Sequence, residues 1–138
     1  MKEFPIYCFE YKRLKRYWKT FLKPYNLIDF IHFSKKVHFT DSYVSELDVV
    51  EKSIVVDKIL KDTYLCYQSV RSDIEHRNFD MFKKHLLIFK DRVSDRMKTS
   101  IDTCLKYIDL IKNSFIYEYS NGMIESINNF VKVLKEII

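Results

Sequence analysis

The chain of 138 residues is 47% apolar and 16% aromatic, enough to build one domain around a hydrophobic core. Its single glycine and two prolines exclude a Walker A loop, a G-x-G-x-x-G turn and a G-x-S-x-G nucleophile turn. The formal charge is +5, and all of the surplus lies in residues 1–25, where Lys2, Lys12, Arg13, Lys15, Arg16, Lys19 and Lys23 face only Glu3 and Glu10.

Residues 9–23, FEYKRLKRYWKTFLK, are predicted to form an amphipathic helix. Leu14, Trp18, Phe21 and Leu22 follow the i, i+4, i+7 pattern, and Lys12, Arg13, Arg16, Lys19 and Lys23 occupy much of the remainder. That basic surface suits phosphates or a solvated helix face equally well. Pro24 stops the helix, and NLIDFIHF at 26–33 is expected to begin a short one before a loop around SKKVHFTDS. Over 45–75, Val49, Val50, Ile54, Leu60, Tyr64, Tyr67, Val70 and Ile74 recur mostly at three- and four-residue steps. One long helix is predicted there, although SIVV on its own favours a strand. Helices follow over 79–94, with Phe82, Leu86, Phe89 and Val93 on one stripe, and over 98–114, with Ile101, Leu105, Ile108 and Ile111. A loop around YEYSN precedes the last helix, 122–136. Five or six helices without repeat or linker imply a mainly α chain of antiparallel helices joined by short loops.

His32, His38, His76 and His85 form no HxxxH or HExxH pair, and Cys8, Cys66 and Cys104 are odd in number and widely spaced. Neither set reads as a zinc site, and the cysteines suit buried thiols in a reducing compartment. No run approaches the roughly 20 apolar residues of a membrane span, and the N-terminus has no leader pattern. A cytoplasmic protein with no membrane partner is expected.

The only glycine stands in YSNGMIESINNFVKVLKEII, residues 119–138. On a helical wheel Ile124, Ile127, Val131, Leu134 and Ile138 form one stripe. Asn129, Lys132 and Glu136 lie within about 40° of Glu125 on another face, with Asn128 beside them. Ser120 or Asn121 is placed to cap the helix, and Glu125 sits near the unpaired first-turn amides, which favour a carboxylate. Spacing alone allows an ordinary solvated face. It equally allows a carboxylate that binds a divalent metal, with amides and Lys132 directed at a phosphate.

The segment S-N-G-M-I-E-S-I-N-N-F-V-K-V-L-K, 120–135, resembles the S-N-G-x-x-E-G-x-N-N-x-I-K-x-x-K motif of bacterial insertion-sequence transposases of the ISL-three group. KRYWKTFLKPYNLID, 15–29, is similar to the segment that leads into the helical region of the same proteins. The two blocks bracket most of the chain. Ser126 stands where the motif has glycine, and Glu136 where it has arginine.

The resemblance implies that Glu125 is the last carboxylate of an Asp-Asp-Glu triad on a ribonuclease-H-like fold. It also implies that Asn128, Asn129, Lys132 and Lys135 are the polar positions that follow. In the intact enzyme Glu125 would ligate Mg2+ for two-metal cleavage and joining of DNA strands. No segment here resembles the two aspartate-bearing strands. The expectation is therefore a transposase fragment, truncated at both ends and inactive alone: the helical insertion and final helix of the domain, without its catalytic sheet. DNA contact, weak and sequence-independent, is expected from Lys12, Arg13, Lys15, Arg16 and Lys19 together with the polar positions of the last helix. Trp18, Phe21, Ile127 and Val131 are expected to remain partly uncovered and to promote self-association. The second reading is a small basic all-helical nucleic-acid-binding or regulatory module in which Glu125 has no role.

Overall fold

The computed structural model describes residues 9–33, 35–36, 43–117, 125, 128–129 and 131–133. Six helices form the body: α1 (Phe9–Leu22), α2 (Glu46–Ile54), α3 (Lys58–Glu75), α4 (Phe79–Phe89), α5 (Asp95–Lys106) and α6 (Ile108–Ile116). A two-residue ribbon, β1 (Lys35–Lys36) antiparallel to β2 (Tyr43–Val44), pairs Lys35 with Val44 and Lys36 with Tyr43. The chain is mainly α, as its composition and periodicity predict.

The core is the sum of the apolar stripes. Leu14 and Phe21 of α1 meet Tyr64, Tyr67, Val70 and Ile74 of α3, while Phe82 and Leu86 of α4 and Met97 and Ile101 of α5 close the other side. Rings lock the helices in pairs. Phe21 meets Tyr64 edge-on with centroids 6.1 Å apart, and Phe115 of α6 packs against Phe82 at 5.2 Å and Phe79 at 5.6 Å. Such pairs add about 0.5–1.5 kcal/mol each beyond the area that they bury.

Helix ends are satisfied by side chains, because the sequence has almost no glycine to do it. Ser45 and Asp48 form a capping box at α2, with each side chain accepting from the other's backbone amide. Asp57, Asn78 and Ser94 cap α3, α4 and α5. Between α3 and α4, Arg77 takes a left-handed conformation at φ 53°, and the Asn78 amide returns to the Asp73 carbonyl at 2.8 Å. That bond closes the turn as a glycine would ordinarily do. The buried Asp73 carboxylate then bonds His85 Nδ1, tying α3 to α4 a second time.

Several boundaries differ from the sequence expectation. The long 45–75 segment is two helices, broken at Val55 and Val56, with Asp57 restarting the chain as a cap. The 98–114 helix starts earlier, at Asp95, and is divided at Tyr107, which has φ −107° and ψ 25°. The 79–94 helix ends at Phe89, yet Val93 beyond it is still buried. Residues 26–33 are not a helix: a 3-10 turn, Tyr25–Leu27, follows Pro24, and Asp29 then accepts the Ile31 and His32 amides. Of their apolar side chains Ile28 reaches the core and the others do not. Tyr25, Leu27, Phe30, Ile31 and Phe33 are 58% to 65% exposed. Phe21 is fully buried against the expectation, since α3 covers it. Trp18 and Val131 are half-buried, and Ile127 lies outside the described residues.

Glu46 fastens the 23–35 segment to the first turn of α2. Its carboxylate accepts from Lys23 Nζ at 2.7 and 2.8 Å and from the Asp29 amide at 3.1 Å, with Lys35 Nζ at 3.9 Å. Burial pushes the carboxyl pKa up, but the Lys23 bond, the Asp29 amide and the two ammonium charges outweigh it and bring it below the ordinary 4.5. A folded value below the unfolded one stabilises the protein fully above pH 4.5 and is lost as pH falls through the folded value. Glu46→Gln is expected to lower stability at pH 7 by about 1–3 kcal/mol and to flatten the acid limb. Urea denaturation at neutral and acid pH measures both, and an unchanged acid slope would contradict the assignment.

Candidate functional site

The basic surface of α1 follows from helix geometry. Lys12, Lys15 and Arg16 stand at i, i+3 and i+4 on one side of α1, Lys19 follows a kink at Tyr17 (φ −109°, ψ 19°), and all four are exposed. The Arg16 guanidinium lies 5.5 Å from the Tyr17 ring centroid, and Lys19 Nζ lies 5.6 Å from that of Trp18. Those aromatic faces restrain the long side chains while leaving their charges in solvent.

Arg13 is a correction. It is only 7% exposed, and its Nη2 donates to the Lys52 carbonyl at 3.1 Å, in the last turn of α2. The last four carbonyls of a helix lack intrahelical partners and carry partial negative charge, so a buried guanidinium is stabilised there. A signal for this was present. Arg13 shares a stripe with Tyr17 and Thr20, and Thr20 is buried, whereas its charge alone argued for solvent. Arg13 is a structural bolt between α1 and α2, not a member of the exposed basic face.

The second group lies near the C-terminus. Glu125, Asn128, Asn129 and Lys132 are helical and exposed, while Val131 and Val133 are half-buried against the main core. Of the apolar stripe expected from the helical wheel, Val131 alone lies among the described residues. Lys135 lies outside the described residues, as do Ile124, Ile127, Leu134 and Glu136.

Asn129, Lys132 and Val133 face a groove of about 410 Å³ whose opposite wall is α5, with Thr99, Ser100, Thr103 and Cys104, continuing to Tyr107 and Ile111. The sequence reading did not single out that wall. Its only trace is the small polar residues at 99, 100 and 103, on a helix whose other face is Met97 and Ile101.

Chemistry at the groove is limited by its thiol. Burial pushes the Cys104 thiol up to about 11 and that of Cys66 to about 12, so both are protonated at neutral pH and neither is an activated nucleophile. Among the described residues no three His, Cys, Asp or Glu side chains gather where a metal ion could be held. Glu125 brings one carboxylate, and a two-metal centre needs ligands converging from several elements. The residues described here therefore do not by themselves fit a magnesium site. No helix among them is long and apolar enough to cross a membrane.

A family model described as a transposase, of the Asp-Asp-Glu type and ISL-three group, matches residues 6–137, and the chain belongs to that family. The chain is also similar to a protein of Lactococcus lactis subsp. lactis named ATP-dependent protease, with 27% identity over 143 residues. The similarity covers 98% of this chain and 44% of the relative, so the chain spans less than half the relative's length. No solved structure matches it.

The distinction between Arg13 and its neighbours is measurable. Arg13→Gln is expected to destabilise the fold by about 1.5–3 kcal/mol, because a charge-assisted bond to the α2 terminus is lost. Lys12→Gln and Lys15→Gln should stay within about 0.5 kcal/mol of the parent. Denaturant midpoints of the three variants test this, and equal midpoints would place Arg13 back in solvent.

Proposed function

We propose that these 138 residues are the helical portion of an Asp-Asp-Glu transposase, contributing the third carboxylate, Glu125, and a DNA-contacting surface. The observation that carries this reading is the exposed stripe of Glu125, Asn128, Asn129 and Lys132 in a chain of the transposase family. Acting alone, the chain carries out no strand cleavage. One carboxylate cannot position two metal ions, and the partner aspartates would come from a catalytic sheet. The protease name of the Lactococcus relative has no counterpart in these residues, whose one glycine cannot build a phosphate-binding loop.

DNA binding in this reading is weak, independent of sequence and carried by Lys12, Lys15, Arg16 and Lys19. Arg13 is withdrawn from the set because it is buried. Each neutralised phosphate contributes about −0.9 to the slope of log affinity against log salt, so four lysine and arginine contacts give a slope near −3.6. Replacing the four by glutamine should abolish duplex binding, with Glu125→Gln leaving it unchanged. Titrations of a labelled duplex at several salt concentrations, and a magnesium- or manganese-dependent cleavage assay on the same DNA, provide the test. Metal-dependent cleavage by the chain alone, removed by Glu125→Gln, would overturn the inactive-fragment reading. The alternative, a small basic regulatory module, predicts that Glu125→Gln also leaves a full-length relative active.

Self-association belongs to the same proposal, through a different surface from the one expected. Tyr25, Leu27, Phe30, Ile31 and Phe33 crowd one short exposed segment, and apolar patches of that kind mark contact sites. Sedimentation is expected to depend on protein concentration, and the Leu27→Ser, Phe30→Ser, Ile31→Ser triple variant should remain monomeric. A parent that is monomeric at every concentration would remove this part of the proposal.

A further inference from the structure

We propose that the groove between α5, α6 and the helical residues Asn129, Lys132 and Val133 binds one unpaired nucleobase of a DNA strand. Its location beside Glu125 acquires meaning from the transposase reading, but the fit of the groove to a base stands on its own lining.

Size is the first argument. A cavity of about 410 Å³ lies near the lower end of the ~300–1,000 Å³ range of small-ligand sites, too small for a duplex and ample for a single base. Its floor is apolar: Ile111, Val133 and the protonated Cys104 present no charge to a base inserted among them. Tyr107, at the joint between α5 and α6, supplies an aromatic face at the edge. Stacking of a base on such a ring contributes about 1–3 kcal/mol and tolerates any base.

The polar groups are sorted in a way that separates base from phosphate. The Thr99, Ser100 and Thr103 hydroxyls donate to the carbonyls of Asp95, Arg96 and Thr99 at 3.0, 3.3 and 2.9 Å. With those protons committed, the α5 wall offers oxygen lone pairs, which suit ring and exocyclic N–H groups and repel a phosphate. Opposite, the Asn129 amide carries both a donor and an acceptor, the combination that pairs with the edge of a base. Positive charge stands apart from that wall. Lys132 lies across the groove, and Lys106 Nζ sits 5.3 Å from the Tyr107 ring centroid, both placed for the phosphates flanking the base. Asn129 and Lys132 follow Glu125 by four and seven residues in the sequence, so a base seated here lies close to that carboxylate along the chain.

Fluorescence anisotropy with a labelled single-stranded trinucleotide and a separate labelled duplex tests the proposal. Thr103→Trp fills the groove from an exposed position, and Tyr107→Ala removes the stacking face; circular dichroism melts verify that each variant folds, and either one alone suffices for the test. Both should weaken trinucleotide binding by about tenfold or more while leaving duplex binding on the α1 face unchanged. The glutamine variant at Lys12, Lys15, Arg16 and Lys19 should do the reverse. Trinucleotide binding that is absent, insensitive to both groove variants or lost with the α1 variant overturns the nucleobase site. Failure of the duplex arm bears only on the DNA-contact reading of α1.

Discussion

The carbonyls of Leu22 and Lys23, where α1 ends, are satisfied by side chains of α3. Pro24 prevents the helix from continuing, and no glycine follows to fold the chain back on itself. The Tyr67 hydroxyl donates to the Leu22 carbonyl at 2.7 Å, and Arg71 Nη1 reaches the same oxygen at 2.9 Å. Gln68 closes the next position, its amide donating to the Lys23 carbonyl at 2.8 Å while its oxygen accepts the Tyr25 amide at 3.0 Å. Arg71 also donates to the Tyr67 hydroxyl and to Glu75, so the two caps on the Leu22 carbonyl are linked to each other. Orphan carbonyls are expensive to bury unsatisfied, and this set removes that cost while it fixes the angle at which α1 crosses the bundle. The orientation of the basic face of α1 follows from it.

Charge is used in the same way elsewhere. Arg13 serves the end of α2, Glu46 gathers the 23–35 segment, and Asp73 with His85 joins α3 to α4. Each buried ionic group meets a helix end or a second helix. Lys12, Lys15, Arg16 and Lys19 of α1 and Glu125 and Lys132 near the C-terminus are left to solvent, as are charges such as Lys83, Lys84 and Lys112 on the other helices. Thr63 extends the pattern to neutral groups: fully buried on α3, it accepts the Ser94 amide at 3.1 Å and sets the start of α5. The α5 wall of the groove is thereby held in register with the core.

Most of the fold was legible because its apolar residues repeat at helical steps. Val49, Val50, Ile54, Leu60, Tyr64, Tyr67, Val70 and Ile74, read as one stripe, are all buried. The break within that stripe had a signal, since Asp57 before a lysine and an apolar run is a helix-start pattern. Continuity of the spacing on both sides masked it. Tyr107 had none: neither glycine nor proline marks the division between α5 and α6. The apolar run 26–33 is short enough that periodicity cannot assign it, and its ambiguity resolved to an exposed turn. For the candidate site, the motif led to Glu125 and the polar positions that follow it. The groove was invisible to it, because half of its lining belongs to α5, distant in sequence and unremarkable in composition.

The distances along the chain between bonded groups carry a kinetic consequence. Helices α3 and α4 are joined by a turn of three residues, His76 to Asn78, so their mutual contacts are short in sequence and close with little loss of chain entropy. The caps on α1 span 45 residues between Tyr67 and Leu22 and 49 between Arg71 and Leu22. Local contacts form ahead of distant ones when other things are equal. Assembly therefore runs from the central hairpin outward, and α1, with the cationic face it carries, is the last large element to dock. During that interval the Leu14 and Phe21 side chains stand in water beside the exposed charges of Lys12, Lys15, Arg16 and Lys19. A polyanion present at that stage meets a loose helix rather than a finished surface.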